Sequence, residues 1–319
     1  MKHKSYLLMV VLLMLTIIMS ACGNDSGSKE STADSQETPV AEQTAGELSQ
    51  TITYQSESGP VEIPAKPVRI VALTNAPNVL SLGETLVGVD QWTAANPLFT
   101  DKLKGVAVVS EEDPESVAAQ NPDLIIAGSH MKNLDQFASI APTVSFTWGK
   151  LDYLNQQLEI GKLLNKETEA QQWIDDFKQR TAAIGKEIKA KHGDNITVST
   201  IEISDKSIYV MGNNWARGTE ILYQAMNLAM PEKVKQDTQE SGNYSLSLEV
   251  LPEYSGDYLV VSRNMNTDNE IMKSNIWNSI PAVQNKRVIE FETKASTYSD
   301  PTTLEYLLDI FQEGFLGQP

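Results

Sequence analysis

The apolar positions of this chain fall into three regimes. Residues 6–19 form a mostly apolar run behind Lys2 and Lys4. This run is shorter than the ~20 residues a membrane span needs, and it fits the hydrophobic segment of a secretory signal. Residues 23–48 carry almost no large apolar side chain, so they cannot bury enough surface to fold and read as a flexible tether. From Thr51 onward, short apolar runs alternate with stretches of helical period.

In that third regime residues 51–54 and 61–63 predict an entry hairpin closed around Ser56, Glu57, Ser58 and Gly59. Strands follow at 69–73, 86–90 and 123–128, with a helical stretch at 78–82. Residues 151–164 and 166–191 are rich in helix formers, and Trp173, Ile174, Phe177, Ile184 and Ile188 recur close to a 3.6-residue period. A helix over 166–191 would run roughly 39 Å, enough to cross from one small domain to another. Beyond it, strands are expected at 196–203, 207–210, 257–262 and 287–291, and Asp300-Pro301 opens a closing helix to about Gly314. Strands alternating with helices predict an α/β fold of two Rossmann-like lobes with largely parallel sheets, joined by a single long helix. The expected organisation is a signal at 1–21, a tether at 22–50, a first lobe at 51–164, a connecting helix at 165–193 and a second lobe at 194–319. A rigid helical connector predicts small lobe movements.

An internal echo supports two similar halves. Pro114-Glu115-Ser116-Val117 leads into the apolar run 122–126, and Ser247-Leu248-Glu249-Val250 leads into 256–261. Each reads as a helix feeding a buried strand.

Cys22 is the chain's one cysteine and directly follows the small residues Ser20 and Ala21. That is the arrangement of a bacterial lipoprotein signal, in which Cys22 becomes the lipidated mature N-terminus. The folded part would then be held at the extracellular face of the cell membrane. No disulfide can form within the chain, so a packed core must supply the stability. Loss of Lys2 and Lys4 takes the formal charge from −17 to −19, which argues against nucleic acid and broad contact with anionic lipid. With only His130 and His192 left as imidazoles, a resident zinc or manganese site is not expected. Nothing in the chain matches a Gly-x-Ser-x-Gly elbow, a phosphate loop or a dinucleotide fingerprint, so catalysis is not expected either.

The most unusual segment runs Tyr209-Val210-Met211-Gly212-Asn213-Asn214-Trp215-Ala216-Arg217-Gly218, after which Thr219 is expected to start a helix. Trp215 and Arg217, two apart near a helix start, are candidates to face a ligand, because loops at the ends of α/β sheets line the crevice.

This segment resembles the matching loop of iron-hydroxamate siderophore-binding lipoproteins that serve Gram-positive ABC importers. Further stretches agree in order: 141–144, 153–157, 254–258, 275–277 and 298–301. The resemblance spans nearly the whole mature chain and implies the helical-backbone class of binding protein, with ligand in a shallow cleft between the lobes. It implies siderophore contacts at Tyr209, Trp215 and Arg217 from the second lobe, at Trp148 from the first, and at Tyr298 in a closing loop. Ser296 and Thr297 stand where a relative carries aromatics, and Met211 replaces a tyrosine. The class also implies a glutamate on each lobe that meets the permease, and the two echoed helices put Glu115 and Glu249 at matching sites.

The chemistry of a ferric trishydroxamate suits such a set. Its iron-bound oxygens carry partial negative charge within an amphipathic shell of little net charge, so one Arg and several aromatic faces match it. The siderophore supplies all the iron ligands, and the protein needs none. The expected partners are therefore a ferric hydroxamate, an ABC permease with its ATPase, and the membrane through the lipid on Cys22, with the protein itself a monomer. Haem held by His130-Met131, cobalamin, a catecholate and a citrate-hydroxamate stand as alternative ligands.

Overall fold

The computed structural model describes residues 50–204 and 207–317. The signal, Cys22, nearly all of the tether and the turn residues Asp205 and Lys206 lie outside the described residues. Among those described, no helix is long and apolar enough to cross a membrane.

The entry hairpin pairs β1 (Thr51–Ser56) with β2 (Gly59–Pro64) antiparallel. A five-stranded sheet follows, built from β3 (Ile70–Ala72), β4 (Leu86–Val89), β5 (Ala107–Val108), β6 (Leu124–Gly128) and β7 (Thr143–Phe146) in the order β5-β4-β3-β6-β7. Every pairing within it is parallel. The central strands β3 and β6 are buried along their whole length, which is why their sequences run Ile-Val-Ala and Leu-Ile-Ile-Ala-Gly without polar alternation. Helices α1 (Ala76–Ser81) and α5 (Tyr153–Leu163) cover one face, and α3 (Pro114–Ala118) and α4 (Leu134–Ile140) the other; the short α2 (Gln91–Ala94) follows β4.

The second sheet has the order β10-β9-β8-β11-β12, from β8 (Val198–Ile203), β9 (Ile208–Met211), β10 (Asn243–Leu246), β11 (Tyr258–Arg263) and β12 (Val288–Glu292). Here the expectation of a parallel sheet holds for β8, β11 and β12 alone, because β9 runs antiparallel to β8 and β10 antiparallel to β9. The tight turn closed by Ser204 N–H donating to the Ser207 carbonyl (3.0 Å) is too short for a crossover, so β9 must run back.

The long helix α6 spans Glu167–His192, 26 residues, and ends at Gly193. Its first turn belongs to the first lobe: Lys166, just ahead of it, donates to the Leu82 carbonyl at 2.8 Å and pairs with Glu84 at 2.9 Å. Farther along, Phe177, Ile184 and Ile188 sit in the core of the second lobe. The helix is thus a connector for one turn and a wall of the second core for the rest.

A second link crosses between the lobes. The closing helix α7 (Pro301–Leu316) is capped by Asp300, whose Oδ1 accepts from the Thr302 N–H at 2.9 Å, and it packs on both α6 and α1. Glu305 of α7 accepts from Trp173 Nε1 and Arg180 Nη1 of α6, each at 2.9 Å.

Candidate functional site

The loops after β3, β6 and β7 face the loop 212–218 and the segment 297–300 of the second lobe across a cleft of about 480 Å3. Contributions come from Thr74, Asn75, His130 and Trp148 on one side and from Trp215, Arg217, Glu220, Tyr298 and Asp300 on the other. Four of the five expected ligand contacts therefore line one cavity.

Trp148 follows β7 in a loop and is 79% exposed. Its ring meets the half-buried Trp215 edge-on, with centroids 5.8 Å apart and planes at 87°, so one indole from each lobe stands at the mouth of the cleft. The Trp215 ring rests on the backbone of Gly242, where a Cβ would come within 2.3 Å of its Cε3.

Tyr298 reaches from the second lobe into the apolar cluster of the first. Its hydroxyl is 3.2 Å from Thr93 Oγ1. Burial, with the nearby charge of Asp90, pushes its phenol up to about 12. It closes the floor and ties the lobes together.

Arg217 departs from the free cation expected of it. Its Nε donates to Glu202 Oε2 at 2.7 Å, and the two side chains are 18% and 20% exposed. Among the described residues its side-chain hydrogen bond runs through Nε, and the guanidinium lines the cleft.

Tyr209 lies apart from the other four. It does not line the cavity; β9 register sets it directly across from Glu202, so it flanks the Arg217 pair from one strand farther out.

The loop that carries Trp215 and Arg217 is held against its own backbone preference. Ala216 and Arg217 take φ of 56° and 54°, ahead of Gly218 at 77°, and left-handed backbone costs an L-residue about 1–2 kcal/mol. The compensation is polar. Arg217 N–H donates to the Ser296 carbonyl at 2.9 Å, Trp215 N–H to Thr219 Oγ1 at 3.0 Å, and Ala216 N–H to Glu220 Oε1 at 3.0 Å. Glu220 is 3% exposed and also accepts from the hydroxyls of Thr219 and Ser299, so one buried carboxylate holds both segments that face the cleft. Burial pushes its carboxyl above the ordinary range, and does the same to Asp300. The expected helix from Thr219 forms instead as a π-helical turn at Glu220–Ala225, with Met226 N–H donating to the Ile221 carbonyl.

His130 is exposed at the cleft, its Nε2 3.9 Å from Glu111 Oε2. Met131 is turned into the core, where its sulfur accepts from the Gly128 N–H. The pair His130-Met131 therefore does not present two axial ligands to the cleft. Among the described residues no group of three or more His, Cys, Asp or Glu side chains is arranged to hold a metal ion.

Glu115 and Glu249 are both exposed. Each follows the edge strand of its sheet, β5 or β10, and lies in the helical turn that leads to the fourth strand, α3 before β6 and the 3-10 turn Leu248–Tyr254 before β11. Their equivalence in the two lobes is topological.

Sequence reasoning missed Glu202, Glu220 and Gly242. Only Glu202 left a signal, as the one charge in an otherwise apolar or hydroxyl-bearing strand.

Two α/β lobes around an open cleft, bridged by one long helix, define a substrate-binding protein of the helical-backbone class. Residues 70–295 match the periplasmic binding protein family, and the chain belongs to that family. It is similar to the iron(3+)-hydroxamate-binding protein FhuD of Bacillus subtilis (strain 168), 32% identical over 312 residues and 94% of each chain. It is also similar to the iron(3+)-hydroxamate-binding protein YxeB of the same organism, 31% identical over 97% of this chain and 96% of the relative. Among solved structures, FhuD2 from Staphylococcus aureus with bound ferrioxamine B superposes with a TM-score of 0.74 at 33% identity, covering 78% of this chain and 98% of that one.

Proposed function

We propose that this chain is the lipid-anchored, extracellular substrate-binding protein of an ABC importer, and that it captures ferric hydroxamate siderophores and delivers them to a permease. The observation that carries the reading is the joint presence, on one cleft, of two facing indoles and an arginine held from behind through its Nε. The similar proteins named for iron-hydroxamate binding support it.

The chemistry follows from these groups. Nη1 and Nη2 of Arg217 donate to iron-bound hydroxamate oxygens, while Trp148, Trp215 and Tyr298 cover the apolar linkers of the chelate. The metal stays within the siderophore, and no bond is made or broken. The lobes are joined by α6 and again by α7 and the Thr93–Tyr298 contact, so ligand exchange occurs with small lobe movement. Glu115 and Glu249 then meet basic groups of the permease, which an ATPase drives from the cytoplasm. Lipid on Cys22 keeps the protein at the membrane.

Titration of intrinsic tryptophan fluorescence with ferrioxamine, ferrichrome, a ferric catecholate and haemin tests the reading. Quenching by the hydroxamates is expected, and Trp215→Ala and Arg217→Ala each weaken it by roughly 1–3 kcal/mol, from lost aromatic area and from unpaired ligand oxygens. Unchanged affinity in both variants would remove the site assignment. A Soret band with haemin that is lost in His130→Ala would replace the hydroxamate by haem.

A further inference from the structure

The arginine of the cleft does not meet its ligand as an uncompensated charge. Glu202 holds its Nε, and both side chains are mostly shielded from solvent, so their fields cancel at short range with little screening. Among the described residues that line the cleft, no other cation replaces what is cancelled. Lys150, at the rim, pairs with Glu57 at 3.3 Å, and His130 stands beside Glu111. Glu220 and Asp300 add two buried carboxyls to the lining, and neither has a cationic partner among the described residues. The cleft therefore supplies donors without net positive charge.

We propose, on the strength of the ferric hydroxamate reading, that Glu202 sets the charge selectivity of the site. By neutralising Arg217 it leaves Nη1 and Nη2 as hydrogen-bond donors for an uncharged ferric trihydroxamate and withholds the positive field that an anionic ferric chelate requires. Specificity here is a difference of affinities created by a repulsive element as much as by an attractive one.

Glu202→Gln tests this directly. The amide keeps an oxygen for Arg217 Nε and deletes the charge. Affinities are measured for ferrichrome, an uncharged ferric trihydroxamate, and for the anionic ferric complex of a citrate dihydroxamate. The preference for ferrichrome over the anionic chelate should fall by about tenfold or more, with a larger fall at low salt than at high. Glu202→Asp, which keeps the charge, should keep the wild-type preference. Parallel weakening of both chelates would mean that Glu202 only positions Arg217, and the proposal would fall; an unchanged ratio would overturn it equally. Should the Gln variant not fold, Glu202→Ala, which also deletes the charge, serves for the same comparison, and a chelate preference unchanged from wild type would overturn the proposal. Wild-type protein that binds no ferrichrome at all would instead sink the underlying function.

Discussion

Replacing Gly242 by alanine should damage the ligand site from behind. A Cβ there would lie 2.3 Å from Cε3 and 2.7 Å from Cζ3 of Trp215, against ordinary contact at 3.4 Å, so the indole must retreat by about 1 Å. Gly242 also holds φ of 75°, and an L-residue there adds about 1–2 kcal/mol of backbone cost. The retreating ring loses its edge contact with Trp148, worth about 0.5–1.5 kcal/mol, and presents its face wrongly to the chelate. The expected result is an affinity about 5–30-fold lower, with a separate loss in unfolding free energy of about 1–2 kcal/mol from the dihedral, to which the clash adds. Fluorescence titration with a ferric hydroxamate reads the first, and urea unfolding reads the second. Gly242→Ala combined with Trp215→Phe, a smaller ring, should recover part of the stability, since the clash and not the dihedral is then relieved. Full affinity in a stably folded Gly242→Ala protein would refute the seat argument.

Tyr298→Phe deletes the hydroxyl contact with Thr93 across the lobes and should cost about 0.5–1.5 kcal/mol in denaturant unfolding; no loss would show that this contact does not brace the lobes. Glu220→Gln is read through pH. The folded carboxyl of Glu220 titrates above its unfolded value near 4.5, so its contribution to stability is complete below that pH and is lost as pH rises through the folded value. Wild-type stability minus that of Glu220→Gln should accordingly fall as pH rises above about 4.5 and through the raised folded value, whereas a flat difference would count against burial as the cause. Glu115→Ala with Glu249→Ala should leave siderophore affinity intact and reduce uptake by whole cells; weakened binding by the purified double variant would remove both residues from the docking role.

Local pattern carried much of the fold. The buried runs that became β3 and β6, the 3.6-residue spacing of α6 and the Asp300-Pro301 start of α7 are all properties of neighbouring residues; burial on both faces of a sheet writes itself as an unbroken apolar run, whereas β12 alternates buried and half-buried positions. Strand β5 has two residues and β7 four, too short to show a period, and both escaped the sequence reading.

By itself the sequence determined the α/β alternation, the helical connector and which aromatic and basic side chains were available for a ligand. Tertiary structure alone decided their environment: that Arg217 is paired with Glu202 fifteen residues away, that Tyr209 stands outside the cleft, that Trp215 lies on Gly242, and that one buried carboxylate at Glu220 gathers both ligand-facing segments. The reason is physical. Periodicity reports which face of an element is buried, whereas the partner of a charge or the seat of a ring depends on residues that only folding brings within contact distance.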